Sequence, residues 1–372
     1  MLEKLAETIV PGKVMVIYGP RQVGKTTLVD AYMQLTLDRT VLINGDEAIY
    51  GEALSSRSLP QLESIIGDAE LLIIDEAQRI ENIGINLKII VDNFPSLKVI
   101  ATGSASFELA NRISEPLTGR KRIHNLYPVS FFECEEAFGS FEARRQLERW
   151  LVWGGYPEVV AATGRNEREA ILDELVSSYL YRDVLELEDI RHASKIVDLL
   201  RLLAFQIGSE VSLSELAKSL SADFRTIARY LDLLEKVFVI YRVGGFSRNL
   251  RKEIVKNARY YFYDNGVRNA LIQNYNPFNY RNDIGQLWEN YLMIERQKVN
   301  QRVSRRVNGY FWRTYDQKEI DYIEEYQGGL FGYEFKYTEG GIRKATKKEF
   351  MEAYPNASLD VITRDNFTDF IG

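Results

Sequence analysis

One stretch constrains this chain more than any other: Gly19-Pro20-Arg21-Gln22-Val23-Gly24-Lys25-Thr26, followed by a second threonine, Thr27. It spells G-x-x-x-x-G-K-[ST]. An apolar, β-branched run from Lys13 to Tyr18 precedes it, and a helical pattern from Lys25 to Gln34 follows. A strand before and a helix after give this loop its chemistry. Gly19 and Gly24 permit backbone conformations that a side chain would block, so successive N–H groups can converge on phosphate oxygens. The helix adds the positive end of its dipole. Lys25 is expected to reach the β- and γ-phosphates as a point charge, and Thr26 to offer its hydroxyl to Mg²⁺. These residues predict a nucleoside-triphosphate site with ATP and Mg²⁺ as ligands.

A partner for that loop lies about 50 residues further on, in Leu71-Leu72-Ile73-Ile74-Asp75-Glu76. A buried strand ending in Asp75 places a carboxylate beside Mg²⁺. Glu76 is then positioned to polarise a water for attack on the γ-phosphate, which favours hydrolysis over binding alone. A third strand, Lys98 to Thr102, ends in Gly103 and Ser104. Thr102 or Ser104 is a candidate to contact the γ-phosphate or hold the water, and Ser104 serves equally well as a helix N-cap. Arg120, in Leu117-Thr118-Gly119-Arg120, is either an arginine finger, acting in cis or across a subunit interface, or an ordinary surface arginine. Val41 to Asn44 reads as another short buried strand, and helical patterns at Leu59–Ile66 and Ile85–Val91 alternate with these runs. The alternation predicts a parallel sheet covered on both faces, with ligands at the carboxyl ends of its strands.

The remaining composition narrows the options. A length of 372 residues exceeds one core and implies two or three domains. No apolar run approaches the roughly 18 residues of a membrane span. The opening segment carries Glu3, Lys4 and Glu7, unlike a secretory signal. Cys134 is the sole cysteine, with His124 and His192 the only histidines, so neither a disulfide framework nor a zinc site is expected. A cytoplasmic location follows as an expectation. The net charge of −6 argues against a generic polyanion binder, although basic residues gather at Arg242–Arg259 and Arg296–Arg306. Such runs are either phosphate-binding patches or solvated faces.

Residues 127–194 read as helical, broken at Gly154-Gly155-Tyr156-Pro157. From Ser194 to Asp264, three helices precede two aromatic strands, the plan of a winged helix-turn-helix. Phe224, Ile227, Leu231 and Leu234 form the core stripe of its third helix. Arg225, Thr226 and Arg229 then face outward, with Arg248, Arg251 and Lys252 on the wing side. This module contacts DNA or packs against protein.

The chain resembles AAA-type ATPases that carry a C-terminal domain of the DUF4143 type. The resemblance rests on the loop at Gly19–Thr27, Ile74-Asp-Glu-Ala-Gln78, Thr102-Gly-Ser104, Leu117-Thr-Gly-Arg120, Leu126-Tyr-Pro128, Gly154-Gly-Tyr-Pro157 and Tyr181-Arg-Asp183. It implies a P-loop core at 1–126, a helical lid at 127–194, a winged helix at 195–265 and an α/β nuclease-like domain at 266–372. By analogy it also implies a homo-oligomer, up to a hexamer. In the last region Glu289 on a helix, Asp321 in one strand, and Glu334 and Lys336 in the next resemble the PD-(D/E)xK nuclease site. There, acids bind Mg²⁺ and the lysine helps activate water. Ile320 stands where that pattern has proline. The competing reading is strand charges joined by a cross-strand ion pair. Arg302, Arg305 and Arg306 lie near enough in sequence to suit a phosphate backbone. The leading expectation is an ATP-driven DNA-binding protein. A nucleotide-gated protein-interaction switch and an ATP-regulated nuclease are the alternatives.

Overall fold

A computed structural model describes residues 2–103, 116–179, 193–247, 258–314 and 316–372. The chain divides into two compact units. The first runs to Tyr127 and includes Lys236–Phe238. The second takes most of the chain from Pro128 onward.

The first unit is built on five strands: β1 (Val14–Tyr18), β2 (Thr40–Asn44), β3 (Leu71–Asp75), β4 (Lys98–Gly103) and β5 (Lys121–Asn125). Their order is β2-β3-β4-β1-β5, and every pairing is parallel. β1 and β3 are buried along their whole length, which is why their sequences are continuous apolar runs. β2 departs from expectation. It is an edge strand in which only Ile43 is buried, and Leu42 is 47% exposed. β5, the opposite edge, is polar and half-exposed, so no apolar run marked it in the sequence. The order brings the carboxyl ends of β1, β3 and β4 side by side.

The second unit centres on a seven-stranded sheet. Its strands are β6 (Glu210–Val211), β7 (Ile240–Gly245), β8 (Ala258–Phe262), β9 (Asn308–Arg313), β10 (Glu319–Tyr326), β11 (Gly329–Phe335) and β12 (Ser358–Ile362). The order is β12-β11-β10-β9-β7-β8-β6. β7 and β8 pair antiparallel, as a wing would, but β7 also pairs in parallel with β9. The strands read as a separate module are therefore continuous with the C-terminal sheet. β10 and β11 form the expected hairpin. Gln327 and Gly328 both have positive φ, 48° and 79°, the backbone of a two-residue primed turn.

The helices Phe131–Phe138 and Leu147–Trp153, from the region expected as a helical lid, pack within this second unit. Phe131, Trp150 and Leu151 share one buried cluster with Trp288, Tyr291 and Leu292 of the long helix Ile284–Arg302. Phe131 meets Phe367 edge-on at 5.0 Å. The first helix starts in a capping box, Ser130 with Glu133. The second ends at Gly154, at φ 74° and ψ −166°, a region that essentially only glycine occupies. The Gly-Gly-Tyr-Pro break then has a structural cause. A Cβ at Gly154 would overlap the buried Asp264 carboxylate, which accepts from the N–H groups of Gly155 at 2.7 Å and Val267 at 3.0 Å.

Candidate functional site

In the first unit the loop after β1 turns through Gln22 (φ 59°) and Gly24 (φ 94°) into the helix Lys25–Leu35. No side-chain hydrogen bond caps that helix. Its first N–H groups therefore face the loop as an anion-binding end. Lys25 is buried, and its ammonium donates to the carbonyls of Gly19 at 3.1 Å and Pro20 at 2.8 Å. A cation, the start of a helix without a side-chain cap and a positive dipole end converge here, a donor set suited to a polyphosphate.

A chain of hydrogen bonds joins the start of the helix Lys25–Leu35 to two strand ends. Thr26 Oγ1 donates to Asp75 Oδ2 at 2.8 Å, across 49 positions of sequence. Thr102 Oγ1 donates to Asp75 Oδ1 and accepts from the Glu76 N–H at 3.1 Å. Thr102 is fully buried. Its hydroxyl is thus engaged by Asp75 and Glu76. Ser104 lies outside the described residues. Glu76 adopts a left-handed backbone (φ 50°), and Gln78 Nε2 donates to its Oε2. Gln78 closes the Ile74–Gln78 motif, but its spacing alone gave it no role. The helical turn Ala77–Arg79 is what folds it back.

Arg120 does not join this site on its own chain. Its carbonyl accepts from Val14 N–H at the start of β1, and its side chain pairs with Asp92 at 2.6 Å. The phosphate loop follows the far end of that strand, about 17 Å away for five residues at ~3.3 Å each. In this structure Arg120 is engaged by Asp92 at that distance from the loop.

In the second unit the structure does gather Glu289, Asp321, Glu334 and Lys336. The hairpin register places Asp321 one step beyond the Tyr322–Tyr333 pair, and Asp321 Oδ2 accepts from Phe335 N–H at 2.8 Å. Lys336 pairs with Glu334 at 2.8 Å. A fifth residue, Arg259, was placed by sequence in a surface patch, yet it is only 4% exposed. Its guanidinium lies 3.5 Å from Glu289 Oε1, 2.9 Å from Glu319 Oε2 and 3.9 Å from Asp321 Oδ1, stacked 4.7 Å over Phe311. The signal was available: β8 is buried at every position, and an arginine in such a strand must find acids. Burial and the neighbouring Asp321 push Glu289 well above the ordinary carboxylate range, against the pull of Arg259 and the Tyr261 hydroxyl, which donates to it at 2.6 Å. Burial and Glu334 raise Asp321 in the same direction. Burial works against the charge on Lys336, but Glu334 and Asp321 outweigh it and raise its pKa.

This cluster does not fit the Mg²⁺ expected there. Glu289 and Asp321 already face a buried monocation. At about 4 Å and an effective dielectric near 20, Arg259 would offset by ~8 kcal/mol the attraction these acids offer a dication. Among the described residues, no three His, Cys, Asp or Glu side chains are placed to hold a metal ion.

The expected DNA contacts separate into three groups. Arg225 and Arg229 are exposed and Thr226 is half-buried on the helix Phe224–Lys236. That helix buries Ile227, Tyr230, Leu231 and Leu234, whereas Phe224, assigned to the core stripe, is 50% exposed at its first position. Arg248, Arg251 and Lys252 lie outside the described residues, as do His192 and the Tyr181-Arg-Asp183 motif. The Arg296–Arg306 run is largely consumed internally. Arg296 is buried against Glu324 at 2.7 Å, Lys298 pairs with Glu295 at 2.7 Å, and Arg305 lies 3.7 Å from Glu324. Arg302 stacks over Phe132 at 4.7 Å, and Arg306 is exposed. The acids that neutralise this run come from its own helix and from β10, so a local count of charges did not reveal them.

Comparison with known families defines the class. A family model described as an AAA domain matches residues 11–135. One described as a domain of unknown function, DUF4143, matches 284–368, and another, DUF8612, matches 144–277. The chain thus carries an AAA-type domain, of the nucleotide-binding ATPase class, together with a C-terminal DUF4143 domain. Among its relatives is an uncharacterized protein of Mycobacterium tuberculosis, 28% identical over 332 residues, covering 87% of this chain and 70% of that protein. An uncharacterized protein of Haemophilus influenzae is 26% identical over 329 residues, 83% of this chain and 79% of that one. One of Methanocaldococcus jannaschii is 25% identical over 307 residues, 77% and 67%. No helix among the described residues is long and apolar enough to cross a membrane.

Proposed function

We propose that the first unit binds ATP with Mg²⁺ and hydrolyses it, with Glu76 orienting the attacking water. The observation that carries this reading is the hydrogen-bonded set Thr26–Asp75–Thr102–Glu76, which joins the start of the helix Lys25–Leu35 to the ends of β3 and β4. Lys25 and the helix N-terminus hold the phosphates, and Thr26 and Asp75 are the groups to hold the ion, which supplies charge neutralisation at the phosphates. Thr102 is a positioning residue that fixes Asp75 and Glu76 together. ATP turnover tests the reading. Lys25→Ala should weaken nucleotide binding, and Glu76→Gln should keep binding while slowing turnover. Thr102→Val should lower kcat by about 10²-fold with little change in KM, the scale of a misplaced catalytic group. Equal turnover in wild type, Lys25→Ala and Glu76→Gln would refute the assignment.

The DNA-binding reading is supported by the exposed Arg225 and Arg229 beside Thr226, on a helix whose opposite face is buried and which precedes the antiparallel β7–β8 pair, the order expected of a winged helix. Salt-sensitive binding to a panel of DNA forms, lost in Arg225→Ala with Arg229→Ala, is its test. ATP-dependent self-association without any DNA binding would select the interaction-switch reading instead. In that case a second copy, arranged as in AAA-type rings, is the partner.

A further inference from the structure

We propose that Arg259 is the built-in cation of the Glu289–Asp321–Glu334 cluster, standing where a nuclease of similar outline holds a divalent ion. The C-terminal unit would then keep a charge-satisfied scaffold in place of a metal-binding one.

The geometry carries this. Arg259 starts from β8, and its guanidinium stacks over Phe311 of β9 to meet acids of β10 and of the helix Ile284–Arg302. It is held on one face by an aromatic ring and at its edge by three carboxylates. Such a planar, permanently charged group matches carboxylates better than a lysine does. Glu289 is additionally engaged by Tyr261, and Asp321 by the backbone of Phe335. Lys336, the remaining cation, neutralises Glu334 from the other side. Glu334 Oε2 is buried without a hydrogen-bond partner. With Glu289 held by Arg259 and Tyr261, Asp321 by the Phe335 N–H and Glu334 by Lys336, no three acids among the described residues are placed to hold one ion, and a dication needs several oxygens at once. Arg259 offsets part of the mutual repulsion and desolvation of these buried acids, and protons on Glu289 and Asp321 take up the rest.

The test measures Mn²⁺ binding by electron paramagnetic resonance on the full chain, in an Asp75→Asn background so that the nucleotide site does not contribute. With Arg259 intact, no Mn²⁺ should be bound by the cluster at millimolar concentration. Arg259→Gln should gain a site that disappears again in Arg259→Gln with Asp321→Asn, whereas Arg259→Lys should gain none. Mn²⁺ bound by the Arg259-intact chain and lost in Asp321→Asn would overturn the proposal. So would an Arg259→Gln chain that keeps its cooperative tryptophan-fluorescence transition yet gains no site. Should Arg259→Gln not fold, the Arg259-intact measurement alone decides: binding lost in Asp321→Asn overturns the proposal, and no binding upholds it.

Discussion

Gly154→Ala should destabilise the second unit far more than the loss of one glycine would ordinarily cost. Alanine at φ 74° and ψ −166° carries a backbone penalty of ~1–3 kcal/mol. Its Cβ would also enter the space of the Asp264 carboxylate, which is buried with its hydrogen bonds to Gly155 and Val267. Displacing that carboxylate forfeits charge-assisted bonds worth about 1.5–3 kcal/mol. Together the two effects give a loss of about 3–6 kcal/mol. Urea denaturation followed by tryptophan fluorescence isolates the relevant unit, because Trp150, Trp153, Trp288 and Trp312 all lie beyond Pro128. Gly285→Ala is the control. It lies in a helix, and no atom would fall within 4 Å of its new Cβ. It should be neutral or stabilising by up to ~1 kcal/mol. A Gly154→Ala midpoint within about 1 kcal/mol of wild type would refute the argument that Asp264 makes this break necessary.

Glu324→Ala should cost about 3–5 kcal/mol by stranding Arg296, whose side chain is almost fully buried. The same fluorescence-monitored denaturation measures it, and Glu324→Gln should cost less because it preserves shape. The carboxyl cluster makes stability depend on pH. Glu289 and Asp321 are both raised, so the folded state holds protons that the unfolded chain releases. Their contribution is fully present below the ordinary carboxylate pKa and is lost as pH rises through the raised values. Stability of the second unit should therefore fall between about pH 5 and about pH 8, and Glu289→Gln should flatten that slope in denaturation series at the two pH values.

The first unit was legible because its chemistry is local. The phosphate loop, the apolar run ending in Asp75-Glu76 and the alternation of strand and helix are each written within a few consecutive residues, and a parallel sheet aligns their ends. The hairpin at Gln327-Gly328 was legible for the same reason, since its turn residues and the two-residue period of its strands fix the register. What the sequence could not reveal depends on partners distant in the chain. That Thr102 supports Asp75 follows from which strand lies beside β3. Arg120 lies at the amino end of β5 and of β1 because the two strands run parallel. Arg259, Arg296 and Arg305 read as surface charge until the acids from β10 and from the helix Ile284–Arg302 closed over them. By itself, the sequence determined that this protein has a loop shaped for phosphate. Only the tertiary structure decided which of its charges face outward and which are spent on one another, because buried charge must be neutralised by whatever the fold brings within about 4 Å.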